Sequence, residues 1–480
     1  MLLSRANYYI SYNFLIVFLS SLVFKAFPLH GDERPNFVVI LCDDLGYGDI
    51  SCYGNKIIKT PNIDRLASQG IRFTDYYSPS PVCSPSRVGL LTGRTPNRAG
   101  IYDWIPSGTQ FHLEEKEFTI PKMLKRVGYA TCMSGKWHCN GKFNKKSQPQ
   151  PGDFGFDHWF ATQNNAVPSH RNPKNFVRNG EGVGELEGFS CRIVAEEANR
   201  WIENHVIENP DQPFFTFIAF HEPHEPISSP ESMISNYPNA QKKGEALYYA
   251  NVENMDFAVG MIMDCLNRNK VAENTLVIFT SDNGPETLNR YGGAWRSHGS
   301  PGDLRGMKLH THEAGIRVPG VMRWPLQIKA GQVSDEPVNS LDLMPTFANL
   351  AAGEIPIDIQ LDGTDIVNAF GKDEVIRKRP MFWCYYSALN KSKVALRDGN
   401  WKLLASLKSK NDKYLKIRSL NKSNYDLVKT ARLVDFELYD IGNDNDELLN
   451  LVDKNHDEFK RLSEAMRMMF DEVLKDSKIW

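Results

Sequence analysis

The sequence predicts an α/β protein in which helices flank a large mixed, mostly parallel central sheet, followed by a smaller C-terminal α+β part with a short antiparallel sheet. Three apolar, β-branched runs at 36–42, 214–220 and 276–280 predict strands buried on both faces of the large sheet. Segments with helical spacing lie between these runs. After about residue 375 the pattern changes to short alternating segments.

These patterns divide the chain into a large domain at residues 31–375 and a smaller α+β subdomain at residues 376–480. In the subdomain, residues 394–404 predict two strands around an Asp-Gly-Asn turn, and residues 436–440 predict another short strand. Residues 456–474 predict an amphipathic closing helix. In the large domain, helices are predicted at 61–70, 118–126 and 191–203.

The composition is that of a globular protein without a specialised partner class. The 480 residues carry 56 lysines and arginines against 58 aspartates and glutamates, which gives a net charge of −2 with histidine neutral. A hydrophobic fraction of 41% excludes a disordered tail protein. Because no overall positive field attracts phosphate backbones, we predict no nucleic-acid partner. Eight cysteines are too few for a disulfide scaffold of this length.

Residues 1–30 differ from the rest of the chain. An apolar run of eleven residues, Phe14 to Phe24, is ended by Lys25. A helix that spans a bilayer needs about 20 apolar residues. We therefore interpret residues 1–30 as a secretory signal peptide and predict an exported protein, secreted or periplasmic, with no stable membrane span. The alternative is an uncleaved N-terminal anchor.

Polar side chains follow all three predicted strands. Asp43 and Asp44 follow the first, Asp282 and Asn283 follow another, and the third ends in a His-Glu-Pro-His segment. In open α/β sheets ligands bind at this edge. Four oxygen donors that converge there suit Ca²⁺ or Mg²⁺ rather than zinc. Taken alone, each pair also fits a turn or a helix cap.

A cysteine stands before a short helical stretch, in the segment Cys83-Ser-Pro-Ser-Arg87 followed by Val-Gly-Leu-Leu-Thr-Gly-Arg. The first turn of a helix offers free N–H groups and a positive dipole end, which stabilise an anionic oxygen nucleophile. The alternative interpretation is an ordinary buried cysteine.

This segment resembles the signature of the type I, formylglycine-dependent sulfatases of the alkaline-phosphatase-like superfamily. Further segments match family motifs in the same order, so that six ordered motifs cover roughly residues 35–470. They are Gly-Lys-Trp-His at 135–138, His-Glu-Pro-His-Glu-Pro at 221–226, Ser-Asp-Asn-Gly at 281–284, Leu-Arg-Gly-Met-Lys with Glu-Ala-Gly-Ile-Arg at 304–317, and Gly-Asn-Trp-Lys-Leu with Glu-Leu-Tyr-Asp at 399–440.

The resemblance implies an alkaline-phosphatase-like fold and a catalytic sulfatase domain at 31–375. It implies hydrolysis of sulfate monoesters with one divalent metal, Ca²⁺ in preference to Mg²⁺. It also implies that a formylglycine-generating or maturase enzyme converts Cys83 into formylglycine (3-oxoalanine) during biosynthesis. The implied metal ligands are Asp43, Asp44, Cys83, Asp282 and Asn283, and the implied catalytic residues are Cys83, Arg87, Lys136, His138, His224 and Lys308.

In the implied mechanism, a hydroxyl of the aldehyde hydrate at position 83 attacks sulfur while Arg87 steadies the hydrate. The sulfate oxygens are held by Lys136, His224 and Lys308. Either Lys308 or His224 protonates the leaving alcohol, and His138 is the candidate base that restores the aldehyde. His221 and His224 both lie in the matching segment, and the resemblance favours His224 as the sulfate contact because it precedes Glu-Pro.

Some positions depart from the family pattern or allow two interpretations. His310 and His312 stand where the family usually has small residues and tyrosine; their spacing resembles a metal pair, but we predict no second metal there. Ala314 replaces the first glycine of the usual Gly-Gly. Cys132 and Cys139 flank the Lys136 segment and are interpreted as packing residues rather than a disulfide.

Two loops are predicted to carry substrate specificity, although each also fits an ordinary surface loop. Residues 163–172 are rich in hydrogen-bond donors, and residues 291–298 place Trp295 beside cations. An aromatic platform with polar donors suits a sugar ring, so we predict a sulfated carbohydrate or polysaccharide fragment as substrate. The predicted substrate contacts are His221, Arg296 and His170.

Two other functions remain open at this point. One is a phosphonate or phosphate ester hydrolase of the same superfamily, which can also use formylglycine. The other is a non-catalytic protein that binds sulfated glycans, which would leave Cys83 unmodified.

Overall fold

The computed structural model describes residues 34–287, 290–371 and 373–480, so the predicted signal peptide lies outside the described residues. Residues 34–480 pack as one unit, and the predicted boundary at residue 375 stays a prediction. The strands are β1 (Asn36–Asp43), β2 (Ile71–Phe73), β3 (Tyr76–Tyr77), β4 (Ala130–Lys136), β5 (His158–Thr162), β6 (Val177–Arg178), β7 (Glu181–Gly182), β8 (Phe214–Pro223), β9 (Thr275–Ser281), β10 (Gly320–Arg323), β11 (Gln332–Ser334), β12 (Val338–Asn339), β13 (Met381–Cys384), β14 (Val394–Asp398), β15 (Trp401–Lys408) and β16 (Arg432–Asp440).

The helices vary in length from a single turn to twenty-four residues. They are α1 (Pro61–Ser68), α2 (Cys83–Thr92), α3 (Ile120–Arg126), α4 (Ser190–Glu208), α5 (Glu231–Ile234), α6 (Glu245–Arg268), α7 (Glu313–Ile316), α8 (Leu343–Ala351), α9 (Tyr425–Lys429) and α10 (His456–Asp476). In the part of the chain that the structure describes, no helix is both long and apolar enough to cross a membrane.

The large sheet has ten strands in the order β11-β2-β10-β9-β1-β8-β4-β5-β6-β7. Its middle, from β9 to β5, is parallel, whereas β10 runs antiparallel to β9 and β2, and β6 and β7 are antiparallel additions at the other side. The predicted mixed, mostly parallel sheet is therefore confirmed.

Strand β1 lies at the centre of this sheet and shows why its sequence is apolar throughout. Phe37, Val39 and Leu41 join the core that includes residues of α2, α3 and α8. Val38 and Ile40 join the core on the other face, formed with residues of α1, α4 and α6. Because both faces are covered by helices, the strand has no polar side. Because the strands from β9 to β5 run parallel, their carboxyl ends lie at one common edge of the sheet.

The smaller sheet is antiparallel, in the order β13-β14-β15-β16, and α10 packs on it through Leu462, Met466 and Phe470. The two strands predicted around the Asp-Gly-Asn turn are confirmed as β14 and β15, with Gly399 at a φ of 57° in the turn. Only glycine adopts this conformation without strain.

A buried ion cluster joins this sheet to the segment around α7. Lys402 of β15 lies 2.7 Å from Glu313 Oε1 and 2.8 Å from Glu447 Oε1, and none of these side chains is exposed. Because breaking such a buried pair costs about 3–5 kcal/mol, loss of one of these side chains would weaken the contact between the sheet and α7.

Candidate active site

The site residues come from the carboxyl ends of four neighbouring strands. Asp43 ends β1, Asp282 follows β9, Lys136 ends β4 and His221 lies near the end of β8. The pairing of β1 with β8 shifts register between Leu41 and Asp43, and Asp43 then pairs with Pro223. The prediction that ligand-binding side chains meet at this edge agrees with the arrangement of the sheet.

Asp44 turns the chain back toward β9. Its φ of 66° lies in the left-handed region, which residues with a Cβ seldom adopt. In that conformation the Asp44 N–H donates to Asp282 Oδ1 at 3.2 Å, and Asn283 Nδ2 donates to Asp44 Oδ1 at 2.8 Å. The two acidic segments predicted to converge are therefore in direct contact.

Cys83 is the first residue of α2, a helix whose ten residues are all buried. Its Sγ lies within 4.8 Å of carboxylate oxygens of Asp43 and Asp282, and also of Asp44 and a ring nitrogen of His224. Burial raises the pKa of the Cys83 thiol to about 12, and Lys136 and Lys308 only partly oppose that rise. An unmodified thiol here stays protonated at neutral pH, which makes it a weak nucleophile.

The oxygen atoms of this cluster fit a divalent cation. Asp43 Oδ1 and Asn283 Oδ1 are buried and have no hydrogen-bond partner, which is costly unless something else binds them. Burial and the nearby charge of Asp43 raise the pKa of Asp282 to about 7, so these carboxylates repel one another. A hard cation relieves both costs, and the residues able to bind it are Asp43, Asp44, Asp282 and Asn283, with the side chain at position 83.

Three cations surround the acidic cluster. Lys136 Nζ contacts Asp43 Oδ2, and Lys308 Nζ lies 2.7 Å from Asp44 Oδ2. Arg87 contacts Asp282 Oδ2 and donates from a terminal nitrogen to the Lys136 carbonyl at 2.8 Å. With a divalent cation added, positive charge exceeds negative charge, so the site can bind an anion although the whole chain is nearly neutral.

The two histidines of the β8 segment have different surroundings. His224 Nε2 lies 3.6 Å from Asp44 Oδ2, and its Nδ1 lies 2.7 Å from the Glu225 carbonyl. Burial, reinforced by Lys308, lowers the pKa of His224 to about 4. His221 is 1% exposed, and its Nε2 lies 2.7 Å from Thr162 Oγ1. Geometry therefore brings His224, and not His221, against the acidic cluster.

His138 is buried beside Lys136. Its Nε2 lies 3.1 Å from the Ile105 carbonyl, while Nδ1 is buried without a hydrogen-bond partner. Because a carbonyl only accepts, Nε2 carries the hydrogen, and a neutral ring has its lone pair on Nδ1. Burial and the neighbouring Lys136 and Arg87 hold the pKa of His138 well below its usual value, so the ring is neutral.

The predicted substrate contacts are not gathered in the same way. His170 has no exposed area, and its Nδ1 lies 3.1 Å from Asn251 Nδ2 and 3.6 Å from Glu222 Oε1. It therefore lies behind the β8 segment. Arg296 is 22% exposed and pairs with Glu225, the residue that follows His224. Of the predicted contacts, Arg296 is the one with open surface.

The remaining sequence alternatives concern histidines and cysteines. The rings of His310 and His312 are 5.8 Å apart. Among the described residues, groups of three or more metal-binding side chains occur only around Cys83, so this pair gains no third ligand. All eight cysteines lie in the described part of the chain and none forms a disulfide there; Cys132 and Cys139 are both buried.

Sequence reasoning missed Tyr385, which borders Cys83, and Asp103, which contacts Tyr385. Tyr385 packs against Cys83 together with Val82, and its hydroxyl donates to Asp103 Oδ1 at 2.9 Å. Neither residue belongs to a motif noted in the sequence, and 302 positions separate Tyr385 from Cys83. Only the packing of the small sheet against α2 reveals this contact.

A three-layer α/β fold with an acidic, cation-flanked cluster at the parallel strand ends defines a hydrolase of the alkaline-phosphatase-like class. Residues 35–354 match the family model of the sulfatases, and residues 307–476 match the model described as N-sulphoglucosamine sulphohydrolase, C-terminal. The chain belongs to the sulfatase family, and it is a sulfuric ester hydrolase.

Similar proteins include human arylsulfatase A, 35% identical over 392 residues that cover 77% of this chain and 74% of that protein. N-acetylgalactosamine-6-sulfatase of Sus scrofa is 33% identical over 374 residues, which cover 73% of this chain and 68% of that protein. Among solved structures, Ps i-CgsB in complex with k-i-k-neocarrahexaose has a TM-score of 0.77 and 29% identity, covering 93% of this chain and 94% of that chain.

Proposed function

We propose that this sulfatase is exported and removes sulfate monoesters from a carbohydrate, with formylglycine at position 83 and one divalent cation, Ca²⁺ in preference to Mg²⁺. The observation that carries the proposal is the buried side chain at position 83, set at the start of α2 within 4.8 Å of carboxylates from two strand ends. When present, the hydrated aldehyde supplies an oxygen nucleophile and the cation polarises sulfate oxygens.

The residues of the chain bind the anion and move protons. Lys136 and Lys308 each approach one carboxylate of the cluster, so a sulfate group placed over position 83 meets both ammonium groups. Arg87 keeps Asp282 oriented. Either Lys308 or His224 protonates the leaving alcohol, since both face Asp44 beside Cys83. Because the pKa of His224 is lowered to about 4, His224 can donate this proton only after the bound sulfate anion has raised its pKa.

His138 is the proposed base for the proton at position 83. Its free lone pair lies on Nδ1, because Nε2 is held by the Ile105 carbonyl. A neutral imidazole is the form that accepts a proton, and burial and neighbouring cations keep this ring neutral.

A carbohydrate substrate is supported by the surface next to the site. Tyr291 and Trp295 are each 39% exposed, and Lys243 and Arg296 lie 4.6 and 5.6 Å from the Trp295 ring. Exposed aromatic faces beside cations suit the apolar face and the sulfate groups of a sulfated sugar. The similarity to N-acetylgalactosamine-6-sulfatase and to the neocarrahexaose complex supports the same substrate class.

The deciding experiment measures the chemical state of residue 83 and the sulfatase activity of the same protein sample. We expect protein made with a formylglycine-generating or maturase enzyme to yield a Cys83 peptide with the mass of the aldehyde, and to release sulfate from sulfated oligosaccharides. A Cys83→Ala variant should release none, whereas Cys132→Ala, a change at another fully buried cysteine, should keep the parent's turnover.

Three results would contradict the proposal. If fully active protein keeps the mass of the thiol at position 83, the formylglycine proposal is wrong. Faster turnover of nitrophenyl phosphate esters than of the matched nitrophenyl sulfate indicates a phosphate ester hydrolase. Binding of sulfated glycans without any release of sulfate indicates a glycan-binding protein. Export is tested separately, by sequencing the N-terminus of protein recovered outside the cytoplasm of its native host.

A further inference from the structure

One cavity is lined by none of the proposed catalytic residues, although two of its lining residues, Asp103 and Ile105, contact neighbours of Cys83. Its volume is 140 Å³, and its walls are residues 100–106 with Phe111, Arg418 and Ser419. This volume is well above the roughly 10–15 Å³ that a cavity needs to hold one water, so the cavity has room for several waters or for part of a sugar unit.

The side chains at this cavity combine three kinds of contact. Trp104 presents an indole that is 41% exposed. The Asp103 carboxylate is 9% exposed, and Arg418 is 81% exposed with its Nε 4.0 Å from Asp103 Oδ2. An aromatic face, an acceptor for hydroxyl groups and a cation in one concave site suit an anionic sugar.

The pair between Arg418 and Asp103 is loose. At 4.0 Å it is not a hydrogen bond, and the exposed guanidinium keeps its donors available to a ligand. Asp103 is held more firmly, because it accepts from the Trp104 N–H at 2.9 Å and from Tyr385. These bonds, one of them from the Trp104 backbone, hold the carboxylate in place, while the exposed arginine can adjust to a bound anion.

A single side chain, that of Tyr385, contacts both the cavity wall and Cys83. Tyr385 contacts Asp103 through its hydroxyl and packs on Cys83 through the same side chain. On the other side, the Ile105 N–H donates to Ser84 Oγ at 3.0 Å, and the Ile105 carbonyl bonds to His138. The cavity wall is therefore linked to position 83 through the Tyr385 side chain and through the Ile105 backbone.

We propose that this cavity is a second carbohydrate subsite, which binds the sugar unit next to the one that loses its sulfate, and that Arg418 pairs with an anionic group on that neighbouring unit. This inference rests on the proposed carbohydrate sulfatase function. It assigns Trp104, Asp103 and Arg418 as residues that determine substrate length and charge.

The test compares a long and a short substrate. The variants are Trp104→Ala and Arg418→Glu, both at exposed side chains outside the catalytic cluster, with Arg467→Glu on α10 as a matched charge control. We expect kcat/KM for sulfated hexasaccharides prepared from carrageenan or chondroitin sulfate to fall about ten-fold or more, the equivalent of about 1.4 kcal/mol. We expect kcat/KM for nitrophenyl sulfate, which does not reach the cavity, to change less than about two-fold, and Arg467→Glu to match the parent on both substrates.

Binding supplies a second readout. In a Cys83→Ala background, which blocks turnover, Arg418→Glu should weaken hexasaccharide binding about ten-fold and reduce its salt dependence, as measured by calorimetry. If the parent cleaves and binds the hexasaccharides and both variants behave like the parent, the subsite is wrong while the function stands. If the parent hydrolyses nitrophenyl sulfate but neither binds nor cleaves any hexasaccharide, the carbohydrate function and the subsite both fall.

Discussion

Arg87 and Asp282 form a two-point contact with no exposed atoms in either side chain: Nε of Arg87 donates to Asp282 Oδ2 at 2.9 Å, and a terminal nitrogen approaches the same oxygen at 2.7 Å. This contact leaves Asp282 Oδ1 to accept from the Asp44 N–H. The guanidinium therefore orients one oxygen of the carboxylate and indirectly positions the turn that carries Asp44.

Replacing Arg87 should damage both stability and activity. Arg87→Ala leaves Asp282 buried and without its partner, at a carboxyl whose pKa burial already raises to about 7, so we expect the free energy of unfolding to fall by as much as about 3–5 kcal/mol. Arg87→Lys keeps the charge but loses the two-point geometry, and we expect a smaller loss. Urea unfolding measures both. Arg432→Ala, at an exposed pair with Asp412, is the control and should cost at most about 1 kcal/mol. An Arg87→Ala protein as stable as the parent would show that the pair contributes nothing.

A divalent cation should stabilise the folded protein. Because the cation binds the folded cluster and not the unfolded chain, Ca²⁺ at a hundred times its Kd should add about 2.7 kcal/mol, seen in calorimetry as a higher Tm. Removal by a chelator should lower Tm and stop sulfate release. Asn283→Ala, which removes a buried oxygen without a partner, should respond to Ca²⁺ much less than the parent. Identical Tm values with Ca²⁺, with Mg²⁺ and with the chelator would argue against a metal site.

Variants of His224 and His221 should distinguish a catalytic role from a packing role. We expect His224→Ala to lower kcat by about 10²–10⁴-fold with little change in Tm, since its ring borders Asp44 and Cys83. His221→Ala removes the contact with Thr162 in a fully buried place, so we expect a loss of about 1–3 kcal/mol in stability. Steady-state kinetics and thermal unfolding on both variants decide the matter. The reverse pattern would make His221 the sulfate contact.

Low pH should weaken the ion cluster that Glu197 forms with side chains of β5 and β6 in the large sheet. Glu197 of α4 contacts Arg178 and His158, and although burial opposes it, these hydrogen bonds lower the pKa of Glu197 to about 2. A lowered carboxyl pKa adds stability above the unfolded value of 4.5, and this is lost as pH falls toward about 2. Because the Arg178 side chain is 38% exposed, screening should leave about 1 kcal/mol.

The measurement is the free energy of unfolding of the parent and of Glu197→Gln across that pH range. The parent should be the more stable protein at neutral pH, and the two curves should approach each other as the carboxyl is protonated. Parallel curves would mean that Glu197 has the same pKa in the folded and unfolded states.

Much of the central fold was predictable because burial on both faces leaves a clear mark on the sequence. The runs at 36–42, 214–220 and 276–280 became β1, β8 and β9 with only their ends extended. The 24-residue helix α6 was not predicted, because it is buried on several sides and lacks a clean amphipathic stripe. The antiparallel placement of β10 also escaped, since strand order depends on long-range pairing that no local pattern encodes.

The candidate site divides in the same way. Asp43, Asp282 and Lys136 were predictable because each follows or ends a strand that the family motifs mark. The contact between Asp103 and Tyr385 was not predictable, since it depends on packing between distant segments. His170 was predicted to contact substrate because it lies in a donor-rich loop, but its ring is fully buried. The sequence of the loop does not reveal this burial.

The closure of Tyr385 over Cys83 has a consequence for the timing of synthesis. Tyr385 emerges from the ribosome 302 residues after Cys83, which at about 5–20 residues per second takes about 15 to 60 s. Afterwards the side chain at position 83 is only 3% exposed. If an enzyme converts this thiol, as proposed above, it reaches the side chain before Tyr385 packs on it, and a chain that folds first would keep the thiol.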